Sequence, residues 1–442
     1  MPEISAVLTG FQAVGTIDGS PRIRQAMTVN TDFEPRWWTH GPSLLRVLSD
    51  LLAGELTLMR PGIVRRPPPW PPELDLMADL GADSLELLGL ATAMEQVLGI
   101  GCIGEERVLA NPRLGAWRDA AASGLDHGSG VINFRTSGSS GAPKACSHLL
   151  ASLWQETGAL AALFPGTRRI VALVPSHHIY GFLFTVLLPR ALGLDPAATV
   201  DLRGASPGAV ARQLAPGDLV VGFPDFWRAF AAVAGTLPAG VTGVSSTAPC
   251  PDEVARAAMD AGLARLVQVY GSSETAGVGW RDSPDEDYHL FPYWEVGEDG
   301  TQLERCGADG SRRSFALQDR LAWSAPGRFR PMGRIDHAVQ VGGVNVFPGY
   351  VADVLRMHPQ VADASVRAMR PDEGRRLKAF VVPRAGAPLE GSPEASALRA
   401  QLSAWMAERL PAPERPAAYS FGAALPRQAS GKLSDWIIDA GA

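Results

Sequence analysis

Apolar and polar positions follow two different rhythms along the chain. Near the N-terminus the spacing is helical. SLLRVLSDLLAGEL, Ser43 to Leu56, repeats apolar residues every three or four positions and predicts an amphipathic helix, with Ser43 after Pro42 able to cap its start. A second helix is predicted from Asp83 or Ser84, either of which can cap it. Its stripe is Leu85, Leu87, Leu88, Leu90, Met94 and Leu98, and Gly99-Ile100-Gly101 ends it. Between the two, RPGIVRRPPPWPPELDL is too rich in proline for a helix and reads as an extended loop. A shorter helix is predicted over 111–123, and residues 1–37 show no regular pattern.

After AASGLDHGSG at 121–130, which reads as a linker, the rhythm changes. Short apolar runs at 131–134 (VINF), 170–175 (IVALVP), 219–224 (LVVGFP) and 266–271 (LVQVYG) alternate with helical stretches. That alternation predicts an α/β core with a largely parallel sheet. Residues 283–330 lack helical periodicity and read as β-rich or as long hairpins. Beyond Gly333-Arg334-Ile335-Asp336 the order is strand, turn, helix, strand, strand, helix, a small α+β unit of domain size. The expected fold is α/β: an N-terminal helical region over 1–125 with helices at about 40–123, a large core over 126–335, and a small C-terminal domain over 336–442.

Composition narrows the function. The chain has 442 residues, 46% hydrophobic and 19% charged, with a net charge of −6, which argues against a general grip on nucleic acid or anionic membrane. The four cysteines Cys102, Cys146, Cys250 and Cys306 are scattered and form no metal-ligand or disulfide spacing. No run is long and apolar enough to span a membrane, and the N-terminus lacks a signal-peptide pattern, so a cytoplasmic protein is expected. Among 40 basic residues only three are lysines: Lys144, Lys378 and Lys432. Coding bias towards arginine explains the scarcity, and makes the surviving lysines the first places to look for chemistry.

The strongest local signal is Phe134-Arg135-Thr136-Ser137-Gly138-Ser139-Ser140-Gly141-Ala142-Pro143-Lys144, a strand running into a Gly/Ser loop that holds one of those lysines. Glycines let backbone N–H groups turn onto phosphate oxygens, hydroxyls add donors, and lysine adds a point charge. Pro143 before the lysine excludes the Walker sequence.

TSGSSGAPK resembles the phosphate loop of the adenylate-forming superfamily, which includes acyl-CoA synthetases, 4-coumarate–CoA ligases and nonribosomal adenylation domains. Later segments resemble that superfamily's further motifs in order. They are Pro175-Ser176-His177-His178-Ile179-Tyr180-Gly181, Ser245-Ser246-Thr247-Ala248-Pro249, Tyr270-Gly271-Ser272-Ser273-Glu274-Thr275, Asp319, Gly333-Arg334-Ile335-Asp336, and Leu425-Pro426-Arg427-Gln428-Ala429-Ser430-Gly431-Lys432. The resemblance implies ATP-dependent activation of a carboxylic acid to an acyl-adenylate, then transfer to a thiol. It implies that Thr136, Ser137, Gly138, Ser139, Ser140, Gly141 and Lys144 hold the ATP phosphates and that Glu274 binds Mg²⁺. Thr247, Ala248, Pro249, Tyr270, Gly271, Ser273, Asp319 and Arg334 would hold adenine and ribose, and Asp336 would be a hinge. Lys432 would bridge the carboxylate and the α-phosphate, with Glu274 and His178 as its catalytic companions. Such a step needs fixed positive groups around developing phosphate charge rather than covalent help. For a lone His the commoner role is a hydrogen-bonded core residue, and His177 has no motif role.

The acyl pocket implied by this resemblance includes Tyr180, Phe182, Phe226, Ser245 and Val278 near His178, Tyr270 and Gly271. Its aromatic and small residues favour a flat aryl or cinnamic acid. The short frame resembles compact bacterial 4-coumarate–CoA ligases, such as those supplying the p-coumaroyl chromophore of photoactive yellow protein. Two features depart from the superfamily. Gln340 stands where a lysine is usual and the following turn lacks its glutamates, and only 135 residues precede Thr136. Within those residues, MADLGADSLELLGLATAMEQVLGI resembles the Asp-Ser-Leu helix start of an acyl carrier protein, which marks Ser84 as a phosphopantetheine attachment candidate against the plainer reading of a capped amphipathic helix. The thiol acceptor is therefore either CoA or a carrier protein, in trans or at Ser84. A non-catalytic acyl-binding relative is a third alternative, opposed by the presence of Lys144, Glu274 and Lys432.

Overall fold

The computed structural model describes residues 36–60, 66–101, 110–136, 144–297, 302–335, 338–370, 372–389, 391–426 and 436. Among the described residues the first α-helices are α1 (Gly41–Met59), α2 (Ser84–Leu98) and α3 (Leu114–Asp126). His40 rather than Ser43 caps α1. Its Nδ1 faces the Ser43 hydroxyl at 2.7 Å and accepts the Ser43 N–H, because Pro42 fits the first helical turn and moves the start upstream. Asp83 caps α2 in a full capping box with Glu86. Leu85, counted in the apolar stripe, points to solvent at 79% exposure, while Leu87, Leu90, Met94 and Leu98 are buried. Helix α3 continues through the stretch read as a linker, because Ala121 and Leu125 belong to the core.

The phosphate-loop segment joins two strands of an antiparallel hairpin, β1 (Val131–Thr136) and β2 (Lys144–Leu149), in which Thr136 pairs with Lys144. Helix α4 (Leu150–Leu163) follows. The central sheet is built from β3 (Arg169–Ala172), β4 (Thr199–Asp201), β5 (Asp218–Gly222), β6 (Thr242–Ser245) and β7 (Arg265–Ser272), all parallel. It extends antiparallel through β8 (Ala276–Arg281) and β9 (Tyr288–Leu290). A separate sheet of β10 (Trp294–Val296), β11 (Gln302–Cys306) and β12 (Arg312–Ala316) comes next. Then β13 (Asp319–Ala325) and β14 (Arg328–Arg334) return to complete a nine-stranded order of β13-β14-β9-β8-β7-β6-β5-β3-β4. The β-rich expectation for 283–330 thus resolves into hairpins shared between two sheets.

Alternating residues of the parallel strands feed two cores. Ile170, Leu219, Val221 and Val267 face one side with α1 to α4, while Val171, Val220 and Leu266 face α5 (Pro224–Val233) and α6 (Asp252–Asp260) on the other. The first core is continuous with the N-terminal helices. Trp37 meets Phe182 edge-on with ring centres 5.0 Å apart, and Phe182 meets Phe134 of β1 at 5.6 Å. The helices that resemble a carrier therefore share one apolar interior with the strands that lead to the phosphate loop.

The C-terminal domain has a core of its own. A hairpin, β15 (Val339–Val341) and β16 (Val344–Val346), precedes α7 (Pro348–Arg356). Strand β17 (Val361–Ala368) pairs antiparallel with β18 (Leu377–Pro383), and β19 (Pro416–Phe421) pairs parallel with β18 after α8 (Pro393–Arg409).

Candidate active site

The motif residues cluster where parallel strands end. His178 follows β3, Ser245 ends β6 and leads into Ser246 to Pro249, and Gly271 and Ser272 end β7 and lead into Ser273 to Thr275, so all lie at carboxyl ends, the edge where open α/β sheets bind ligands. Tyr270 and Asp319, 49 positions apart, meet directly: the phenol donates to Asp319 Oδ2 at 2.7 Å. Asp319 also stands opposite Arg334 in the β13–β14 ladder. The Tyr270 ring packs edge-on to Tyr288 and Phe329, at 5.9 and 5.4 Å, forming an aromatic wall beside this pair.

The loop bearing Glu274 is held by short-range and long-range contacts. Ser272 Oγ accepts from the backbone N–H groups of Glu274 and Thr275, both at 3.2 Å, and Thr275 Oγ1 accepts from the Ser272 N–H at 3.1 Å. Gly271 has no alternative, since a Cβ there would sit 2.1 Å from the Ala276 carbonyl oxygen. From outside the motif, His148 Nε2 donates to the Ser273 carbonyl at 2.7 Å. Burial, partly opposed by that bond, lowers its pKa to about 4, so the ring is neutral at pH 7. Glu156 accepts the Gly277 N–H at 2.8 Å, while Tyr293 and Trp294 donate to the Gly277 carbonyl at 3.1 and 2.8 Å. Glu156 is fully buried with Arg305 at 3.4 Å, and burial pushes its pKa up to about 7. The Glu274 carboxylate itself has no hydrogen-bond or ion-pair partner among the described residues. It is a free, half-buried oxygen donor of the kind Mg²⁺ takes one or two of alongside phosphates.

His178 lies at the start of the helical turn Ile179–Phe182, lowered in pKa by burial within the molecule although its ring remains reachable by solvent. The His177 ring lies tilted against it with centres 4.1 Å apart, and the segment is held by Asp50 of α1, whose Oδ2 accepts from both the Ser176 N–H and hydroxyl at 2.7 Å. Arg203 neutralises Asp50 at 2.7 Å.

The other residues expected at the acyl pocket lie deeper than His178. The Tyr180 hydroxyl donates to the carbonyls of Gly222 and Val244, bracing the ends of β5 and β6, and Phe182 is committed to the cluster with Trp37 and Phe134. Ser245 and Val278 are buried too, Val278 in the same core as Tyr180 and Phe182, whereas Phe226 belongs to the core on the other face of the sheet and is not brought to them. Thr247 adopts φ of +77° in the turn expected to meet adenine, where a β-branched residue carries strain. The glycine turn of the β15–β16 hairpin reaches that turn: a Cβ on Gly343, at φ of +81°, would lie 2.9 Å from Thr247 Oγ1. Arg375 adds an ion pair to Asp225 of α5. Ser137, Gly138, Ser139, Ser140, Gly141, Asp336 and Lys432 lie outside the described residues, as do the side chains of Thr136, Lys144 and Arg334. Ser84 is exposed at the first position of α2.

Asp50, His148 and Glu156 were not singled out from the sequence. They reach their partners across 126, 125 and 121 positions, and nothing local to them signals it.

The AMP-binding enzyme family model matches residues 119–293, and the AMP-binding enzyme C-terminal domain model matches residues 350–432. With the sheet and its small C-terminal domain, these matches define an AMP-forming acid–thiol ligase. Over 398 residues the chain is 42% identical to a 4-coumarate–CoA ligase of Halorhodospira halophila, covering 88% of this chain and 98% of that one. A 4-coumarate–CoA ligase of Cereibacter sphaeroides is 39% identical over 376 residues, covering 82% and 86% respectively. The amide bond synthetase of Marinactinospora thermotolerans shares the fold, with a TM-score of 0.55 at 19% identity over 88% of this chain and 92% of that one. The chain belongs to the family of these 4-coumarate–CoA ligases. It activates an acid with ATP and ligates it to CoA. No described helix is long and apolar enough to cross a membrane.

Proposed function

We propose that the acid is 4-coumarate or a close aryl-acrylic relative. The observation that carries this is the 42% identity to a 4-coumarate–CoA ligase along 98% of that enzyme's length, too extensive to reflect a shared nucleotide site alone.

In the first half-reaction the substrate carboxylate attacks the α-phosphorus of ATP and the bond to pyrophosphate breaks. The loop over Thr136 to Lys144 supplies donors to the departing phosphates. Lys432 bridges carboxylate and α-phosphate, lowering the repulsion between two anions. Asp319, oriented by Tyr270, accepts the ribose hydroxyls, and the Thr247 to Pro249 turn packs on adenine. Glu274 would hold Mg²⁺, which when bound neutralises phosphate charge, and the chain's task is to keep that carboxylate fixed through Ser272, His148 and Glu156. His178, neutral at pH 7, adds no charge of its own and lines the path of carboxylate and thiol. In the second half-reaction the CoA thiolate attacks the acyl carbon and AMP leaves. The contact of Gly343 with Thr247 supports a pose in which the C-terminal domain presents its glycine hairpin to the nucleotide site, and rotation about Asp336 would exchange this for one presenting Lys432.

Delivery to Ser84 is not favoured. A carrier must swing its arm between sites, whereas α2 buries Leu87, Leu90, Met94 and Leu98 in the interior shared with β1.

Pyrophosphate release with a panel of 4-coumarate, cinnamate, benzoate and an alkyl acid, followed by mass detection of the CoA thioester, tests the assignment. The fastest release is expected with 4-coumarate. A preference for the alkyl acid, or adenylation of 4-coumarate without thioester, overturns it.

A further inference from the structure

Lys378 is the one lysine with no part in this chemistry, yet it is fully buried. It lies on β18 with no exposed surface, an environment lysine almost never occupies unpaired. Its Nζ donates to the Glu373 carboxylate and to the backbone carbonyl of Trp436. Arg367, directly opposite in the β17–β18 ladder, donates to the same carbonyl at 2.9 Å and to Glu373 at 3.0 Å. Arg370 reaches Glu373 as well, at 3.2 Å. The Trp436 ring is gripped too. Its centre lies 5.4 Å from Lys378 Nζ and 5.3 Å from the Arg367 guanidinium, and Phe380 meets it edge-on at 5.7 Å.

A buried ion cluster is a poor choice if stability of a small domain were its only purpose, since well-packed apolar residues serve as well or better. What ions add is direction. Here two cations from neighbouring strands converge on a single carbonyl, and a tryptophan ring covers them. That carbonyl belongs to a residue four positions beyond Lys432. Four residues of chain span at most about 14 Å, so anchoring Trp436 sets the radius within which Lys432 must work.

We propose that Lys378, Arg367 and Glu373 form a latch that fixes Trp436 to the C-terminal domain and thereby positions Lys432 for adenylation. Lys378 and Arg367 are positioning residues, acting through Lys432, and the inference rests on the assignment of Lys432 as the adenylation lysine. The latch lies wholly within the C-terminal domain, so it travels with that domain and is needed only in the half-reaction that uses Lys432.

The test uses the full chain and both half-reactions: pyrophosphate release from ATP and 4-coumarate, and thioester formation from synthetic coumaroyl-adenylate and CoA. Lys378→Met is expected to lower kcat of adenylation by about tenfold or more with KM for ATP unchanged, because small misplacements of a reacting group carry such costs. Thioester formation stays within about twofold, and Lys378→Met adds nothing in a Lys432→Ala background, as expected of two residues acting as a unit. Equal loss in both half-reactions, or no loss in adenylation, overturns the latch. Should Lys378→Met fail to fold, Arg367→Gln, which leaves Lys378 and Glu373 paired, decides by the same split. Lys432→Ala separates the two levels. If it retains adenylation, the role of Lys432 falls and the latch with it; if it loses adenylation while Lys378→Met and Arg367→Gln keep it, the latch alone falls.

Discussion

Glu156 and Glu373 are both interior carboxylates beside arginine, and their surroundings drive them in opposite directions. Glu156, in the large core, has one guanidinium at 3.4 Å and one backbone N–H; burial outweighs them and its pKa rises to about 7. Glu373, in the C-terminal domain, feels burial too, but bonds from Arg367, Lys378 and the Arg370 N–H outweigh it and hold the carboxyl well below the usual range. Depth of burial and the number of cations decide the outcome: Glu156 is fully buried with a single cation, whereas Glu373 lies nearer the surface and meets Arg367, Arg370 and Lys378. Glu156 itself holds Gly277, close in sequence to Glu274, whereas Glu373 pairs with the Lys378 and Arg367 that hold the Trp436 carbonyl, close in sequence to Lys432. The first clamp belongs to the large core and the second to the C-terminal domain. One is sensitive to pH near neutrality and the other stays charged.

The largest effect that bears on this contrast is expected from Lys432→Ala. It should lower adenylation by about a hundredfold or more, as removal of a positive group aimed at developing charge does, while thioester formation from coumaroyl-adenylate persists. Pyrophosphate release and thioester mass measure the two steps, and equal loss of both would remove the division of labour between the domains. Glu156→Ala should come next, on stability. It leaves Arg305 buried without its carboxylate and strips the Gly277 N–H of its acceptor, at a cost of about 3–5 kcal/mol by denaturant unfolding.

Gly343→Ala sharpens the comparison from the other side. The added methyl would press on Thr247 in a backbone conformation that disfavours side chains, and about a tenfold loss is expected, confined to thioester formation. A loss of adenylation alone would contradict the pose proposed for the glycine hairpin.

The smallest effect is a slope. Because the folded pKa of Glu156 lies above its ordinary value of 4.5, the folded state binds more protons between those limits. Its contribution to stability is therefore full below pH 4.5 and is lost as pH rises through 7. Glu156→Gln keeps an acceptor for Gly277 and cannot titrate. The difference in melting temperature between wild type and Glu156→Gln should thus move steadily in favour of the variant from pH 5 to pH 8, by a few degrees. A difference independent of pH would show that Glu156 is not raised. Comparing the two proteins cancels His148, whose lowered pKa acts with the opposite sign: its contribution is present above pH 6.5 and lost as pH falls towards 4.

Much of the site could be read from sequence because its signals are local. Tyr270-Gly271-Ser272-Ser273-Glu274-Thr275 folds through its own hydroxyls, and Gly271 is required by a carbonyl only five residues away. The strands 170–175, 219–224 and 266–271 were likewise legible, since runs buried on both faces must be apolar throughout, whereas the C-terminal order was legible only in part, because the short β16 and the final β19 were not expected. Residues such as Asp50 and His148 were not, because an isolated Asp or His in a helix or strand looks the same whether it faces water or supports a loop more than a hundred positions away. The pairing of β1 with β2 across the phosphate loop, and the continuation of α3 through 121–126, were also settled by contacts rather than by local pattern.

By itself the sequence determined the reaction's chemistry: which residue types stand in which order, where glycine is needed, and where the few lysines remain. Those follow from short-range backbone geometry and from the charge demands of phosphate transfer. Only the tertiary structure decided what the first helices are for, joining a carrier-like stretch to the core that supports the phosphate-loop strands, and what the third lysine does. Burial, counter-charge and the meeting of distant strands set the work of Lys378, and none of these is a property of the residues beside it in the chain.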